Sequence, residues 1–167
     1  MPEVFPQRNV IDLGDSDAGK ITGMYASTNS LVVFKEFGVY LIKATPSGGF
    51  IYQTISRDIG CIAPNSIKDI PFTGLAFLSH KGVHAMKGFL EDSNSPTEIV
   101  NLSTPIKEIM DRLCVTASYG AVSCLNRNDK EYWLCVPTIG EKNNLLLVWH
   151  YEVGAWSIRN NYPMSCA

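Results

Sequence analysis

Apolar and polar positions along this chain fall into short runs of period two, broken by glycine, proline and asparagine, and one such pattern occurs twice. LVVFKEFGVYLIK over 31–43 returns as LAFLSHKGVHAMK over 75–87, with Gly38 and Gly82 in the same place and an offset of 44 residues. Each copy reads as a strand, a tight turn ending at glycine, and a second strand, a hairpin repeated at the spacing of propeller blades. In the first copy Val39 and Leu41 fall on one face and Tyr40 and Ile42 on the other, so both faces are apolar. That pattern suits a strand held between two sheets better than one with a wet side. Repeats of this kind exist because one unit cannot bury its apolar face alone and stacked neighbours must cover it.

The same pattern predicts further strands over 8–13, 21–26, 50–56, 66–70 and 98–101, with turns at 27–30 and 45–49 and an exposed loop at 91–96. One helix is expected over 105–113: Ser103 or Thr104 can cap it, Pro105 suits its first turn, and Ile106, Ile109, Met110 and Leu113 make one apolar stripe for docking on the core. Two hairpins follow, over 121–137 around the turn 127–130 and over 145–159 around 152–154. The fold expected is all-β, mainly antiparallel hairpins in propeller-like blades, with one short helix near 105–113. It forms a single β domain over 1–167, built of about three to four blade-like units on the hairpins near 31–43, 75–87, 121–137 and 145–159.

Composition narrows the function classes. Apolar residues make up 46% and charged residues 18%, which is globular and charge-poor rather than disordered. A net charge of −2 offers no basic face for gripping nucleic acid. No apolar run approaches the roughly 20 residues that cross a bilayer, and MPEVFPQRNV has neither the basic start nor the apolar core of a signal peptide. The five cysteines, Cys61, Cys114, Cys124, Cys135 and Cys166, include no close-spaced pair of the kind that fixes half a zinc tetrahedron. Buried reduced thiols in a reducing cytoplasm are favoured over the one alternative, a bridge between Cys124 and Cys135 across their hairpin.

Candidate chemistry is sparse. GDSDAGK over 14–20 has glycines and a lysine, but Ile21 stands where a phosphate loop has Ser or Thr, and a strand follows where that loop needs a helix. Asp12, Asp15 and Asp17 lack the 12-residue calcium loop and its closing glutamate. His80, His84 and His150 are scattered, with no acid pair converging on them. Glu36, Asp69 and Glu131, each beside an apolar strand, are the carboxylates a glycoside hydrolase could use if they met in space. Trp133, Trp149 and Trp156 are expected as anchors between sheets; the rival is an exposed aromatic platform, with Tyr25 or Tyr40, for carbohydrate. No catalytic residue, cofactor or metal site is assigned.

Several stretches together resemble a known group. PEVFPQRNVIDLG, KITGMYASTNSLVVFKEFGVYLIK, GCIAPNSIKDIPFTGLAFLSHKGVHAMKG, KEYWLCVP and LLLVWHYEVGAWSI are similar to the propeller-like β region of tailed-bacteriophage virion proteins, the minor structural and tail-nozzle or tail-tube-associated proteins. The similarity spans residues 2–158. It implies a non-enzymatic structural protein of the virion, made in the host cytoplasm, that assembles in the tail or neck around the DNA channel. The partners implied are other virion proteins and further copies of the chain, with no sequence-specific nucleic-acid binding and no membrane. A carbohydrate- or receptor-binding propeller module for host recognition is the first alternative, and a glycoside hydrolase on a propeller scaffold the second.

Overall fold

The structure, a computed structural model, describes residues 10–13, 16–88, 96–114, 116–138 and 142–160. Among the described residues, twelve strands form three four-stranded antiparallel sheets, each a meander of consecutive strands. The first sheet holds β1 (Ile21–Ala26), β2 (Ser30–Lys35), β3 (Val39–Ala44) and β4 (Phe50–Ser56). The second holds β5 (Lys68–Ile70), β6 (Gly74–Ser79), β7 (Gly82–Lys87) and β8 (Glu98–Asn101). The third holds β9 (Val122–Asn126), β10 (Glu131–Val136), β11 (Leu145–His150) and β12 (Ala155–Asn160). The fold is therefore all-β with one short helix, as the pattern predicts.

The repeat is a repeat of register. Phe34 pairs with Val39 and Val33 with Tyr40 in the first sheet; 44 residues on, Leu78 pairs with Val83 and Phe77 with His84. The third sheet forms the corresponding central hairpin from β10 and β11, where Val136 pairs with Leu145 across a longer connection. The hairpins expected over 121–137 and 145–159 thus lie side by side in one sheet, and the four expected hairpins make three blade-like units.

Stacking explains why the central strands are apolar on both faces. Val32, Phe34, Val39 and Leu41 pack on Leu75, Phe77 and Met86 of the second sheet. The opposite face of that sheet, Ala76, Leu78 and Val83, packs on Tyr132, Leu134, Leu147 and Trp149 of the third. Each outer face has its own cluster: Val33, Tyr40 and Ile42 with Leu13 and Ala18 on the first sheet, and Val122, Cys135, Leu146 and Val148 on the third. At about 25 cal/mol per Å2 of apolar surface removed from water, these interfaces are the main source of stability.

The connector after β4 stitches the first two sheets. Cys61 N–H donates to the Lys35 carbonyl and Ile62 N–H to the Leu78 carbonyl, while Thr22 Oγ1 donates to the Cys61 carbonyl at 2.6 Å. Buried Ser66 then joins the second sheet to the third. Its hydroxyl donates to the Ala63 carbonyl and accepts from Leu78 N–H, and its carbonyl accepts from Tyr132 Oη at 2.8 Å.

The helix is shorter than its apolar stripe predicts. A 3-10 turn at Thr104–Ile106 runs into α1 (Lys107–Met110), and Ile106, Ile109, Met110 and Leu113 pack against the core between the second and third sheets. Ser103 does not cap it. Its hydroxyl accepts from Val83 N–H and donates to Asn101 Oδ1, satisfying a strand amide instead of a helix end. The strand expected over 8–13 is not formed in its described part, 10–13, and Ser16–Ala18 is a 3-10 turn. The rest of that segment, the loop expected at 91–96 except for Pro96, Asp15 and Cys166 lie outside the described residues.

Candidate functional site

Each sheet has its first strand at one edge, and the three first strands, β1, β5 and β9, converge on an open depression of about 440 Å3. Tyr25 comes from β1, Lys68 and Asp69 from β5, and Ser123, Cys124 and Leu125 from β9, with Arg127 at the rim. β5 is only three residues long, which leaves room between its neighbours. Tyr25 Oη donates to Asp69 Oδ2 at 3.2 Å and ties the first strand of one sheet to that of the next. Burial, then the adjacent Asp69 carboxylate, raises the Tyr25 phenol above its ordinary value, so it keeps its proton and remains a donor. Ser123 Oγ donates to the Asn65 carbonyl and closes the other junction. Two cations and one engaged carboxylate thus line the depression, and Cys124 presents an exposed free thiol there.

Of the turns that follow β1, β5 and β9, the one after β9 reaches this depression through Arg127. Phe72, in the turn after β5, is exposed and has φ of 61°, a left-handed conformation that costs a bulky side chain about 1–2 kcal/mol. Lys130, in the turn after β9, has φ of 59° and pairs with Glu152.

The three candidate carboxylates do not meet. Asp69 lies in the depression with Tyr25. Glu36, in the β2–β3 turn, accepts from Tyr119 Oη at 3.2 Å and lies 3.5 Å from Lys20 Nζ. Glu131 stands on the outer face of the third sheet, where it accepts from Trp133 Nε1 at 2.6 Å and lies 3.3 Å from His150 Nδ1. His150 Nε2 is in turn 2.9 Å from Ser157 Oγ, so Glu131, His150 and Ser157 form a chain across β10, β11 and β12. Sequence distance hides it, because Glu131 meets His150 only through the pairing of β10 with β11, and Ser157 is the diagonal neighbour of His150 on β12.

The tryptophans are divided between two faces. Trp149 is buried between the second and third sheets, with Trp156 tilted against it at 5.1 Å, and Trp156 Nε1 donates to the Leu102 carbonyl. Trp133 lies on the opposite face, under the Arg159 guanidinium. The three therefore form no common platform. Tyr40 is buried, and Tyr25 is the only member of the expected aromatic set in the depression.

The histidines are equally separate. His80 stacks on Phe37, His84 is buried against Phe77, and His150 joins the outer-face chain. Among the described residues, no three His, Cys, Asp or Glu side chains are grouped as metal ligands. Cys61 is fully buried, and burial pushes its thiol up to about 12, so it packs as a small hydrophobe. Cys124 carries a free thiol, so the alternative bridge to Cys135 is not made.

Sequence reading missed Lys68, Ser123, Cys124 and Arg127. The repeat puts a strand before each hairpin, at one edge of its sheet, but which residues of those strands meet is set only when the sheets stack. A scan against protein-family models and a search of curated proteins both returned no match for the chain.

Proposed function

We propose that the chain is a non-enzymatic structural subunit of a tailed-bacteriophage virion, a tail or neck component that assembles with other virion proteins around the DNA channel. The observation that carries this reading is the stack itself. Three sheets turn their first strands toward one depression, as blades do around an axis, and the stack ends in two sheets that have no fourth sheet between them among the described residues. Such a unit is suited to supply part of a wall whose remainder comes from neighbours. The similarity of residues 2–158 to virion propeller regions points the same way. A net charge of −2 suits a subunit past which DNA moves without being gripped. The dispersal of Glu36, Asp69 and Glu131 over three sites gives a hydrolase reading no shared cleft.

The test is quantitative mass spectrometry of gradient-purified phage particles from a host producing the protein. A fixed copy number per particle is expected. Abundance in the lysate with absence from purified particles would overturn the proposal.

A further inference from the structure

The order of atoms along the Glu131, His150 and Ser157 chain is that of an activated serine. His150 turns Nδ1 to Glu131 Oε1 at 3.3 Å and Nε2 to Ser157 Oγ at 2.9 Å. A hydroxyl within hydrogen-bond reach of a base, with the base oriented by a third group, is the arrangement that makes serine a nucleophile. The second Glu131 oxygen accepts from Trp133 Nε1, so the carboxylate is fixed with one oxygen left for the imidazole. A proton held at Nδ1 leaves the Nε2 lone pair for the Ser157 hydroxyl. Access rises along the chain: the Glu131 side chain is 11% exposed, that of His150 33%, and Ser157 is half-buried, so the acid is sheltered while the hydroxyl meets solvent. The ground beside it is apolar, since Val148, the cross-strand partner of Ser157, is buried in one cluster with Trp133. Arg159, two residues along β12 and on the same face as Ser157, lays its guanidinium over Trp133 and brings to this patch the charge that a carbonyl oxygen under attack requires.

We propose that Ser157 is an acylation site, a serine that takes the acyl group of a small ester with a good leaving group. Ser157 Oγ bonds to the acyl carbon while His150 Nε2 takes the hydroxyl proton. The tetrahedral adduct then breaks the carbon–oxygen bond of the ester, whose electron pair leaves with the oxyanion, and His150 passes its proton to water. Glu131 is a positioning residue that acts through His150. Removal of the acyl group by water has to expel the serine oxygen, a far poorer leaving group than a phenolate, so the group stays on Ser157 and each chain takes one equivalent. This is a modification of the subunit rather than turnover, and it does not rest on the chain being part of a virion.

The test is treatment of the full chain with p-nitrophenyl acetate, followed by peptide mass spectrometry at timed intervals. Ser157 should be acetylated at least about 100-fold faster than Ser47, an exposed serine in the β3–β4 turn whose hydroxyl pairs with that of Thr45 and with no base. His150→Ala should bring Ser157 down to the rate of Ser47, and added imidazole should restore part of the difference. Glu131→Gln separates positioning from packing. The amide oxygen is needed by Trp133 Nε1, so the amide N–H group faces Nδ1, the imidazole proton moves to Nε2, and Ser157 loses its base. The rate should then fall at least about tenfold, with nitrogen NMR of His150 showing the change of tautomer. Thermal melts report whether each variant is folded. Wild-type acetylation of Ser157 no faster than of Ser47 overturns the proposal whatever the variants do, and so does a wild-type rate in folded His150→Ala or Glu131→Gln. Virion content enters none of these measurements, so the two proposals fail separately.

Discussion

Ser66 shows how much one small side chain decides in this fold. Its hydroxyl is the acceptor for the Leu78 amide, and its carbonyl receives the Tyr132 phenol, so two sheets meet at one buried residue. Ser66→Ala should destabilise the protein by about 1–3 kcal/mol, the cost of leaving a buried amide without its partner. Urea denaturation reads this directly; an unchanged midpoint would contradict it. His84 supplies a second residue-scale prediction. It is buried, with Nδ1 3.0 Å from Ser79 Oγ, and desolvation, aided by Lys81 and opposed by the Gly82 carbonyl, lowers its pKa from the ordinary 6.5. The unfolded chain then binds a proton that the folded chain refuses. Its stability contribution is full above about pH 6.5, declines as pH falls through that value and is gone below the lowered folded pKa. Stability measured between pH 7.5 and 5 should fall more steeply for wild type than for His84→Gln, and parallel slopes would exclude His84 as the cause.

At the scale of elements, the connector after β4 is held by contact rather than by hydrogen bonds alone. Gly60 lies against the β2–β3 turn so closely that a methyl group there would overlap the Lys35 carbonyl and the Gly38 amide. Gly60→Ala should therefore cost about 1–3 kcal/mol, as overpacking does, and a thermal melt showing wild-type stability would mean that the turn gives way. Such close approaches were not legible beforehand. The strands were, because Val39–Ile42 and its counterpart in the second sheet are apolar on both faces and only stacking explains that. Nor could the pattern say that 121–137 and 145–159 belong to one sheet, since each pair looks like a complete hairpin and only the register of Glu131–Val136 against Leu145–His150 joins them. The helix came out short: it opens as an uncapped 3-10 turn, since the Ser103 hydroxyl accepts from Val83 N–H and donates to Asn101, and its α-helical part ends at Met110. The depression was hidden for another reason: Tyr25, Asp69 and Ser123 become neighbours only through stacking, and no local spacing encodes that.

At the scale of the whole molecule, the second sheet is the shared layer, with one face in each main core. Loss of the first or third sheet exposes a face of the second, so the stack should unfold as one unit. The three tryptophans all lie in the third sheet, whereas far-UV circular dichroism reports on all three. Denaturation followed by the two signals should give coincident curves; circular dichroism changing before tryptophan fluorescence would show that the first sheet melts alone. The identical register of the β2–β3 and β6–β7 hairpins has a consequence for how such a chain changes over time. A blade whose two faces both accept a neighbour can be duplicated or deleted as a unit, with the new junction made from surfaces that already fit. Length in this architecture is then a quantity that genetic change alters in steps of one whole sheet with its connector, and intermediate lengths are the ones that fold poorly.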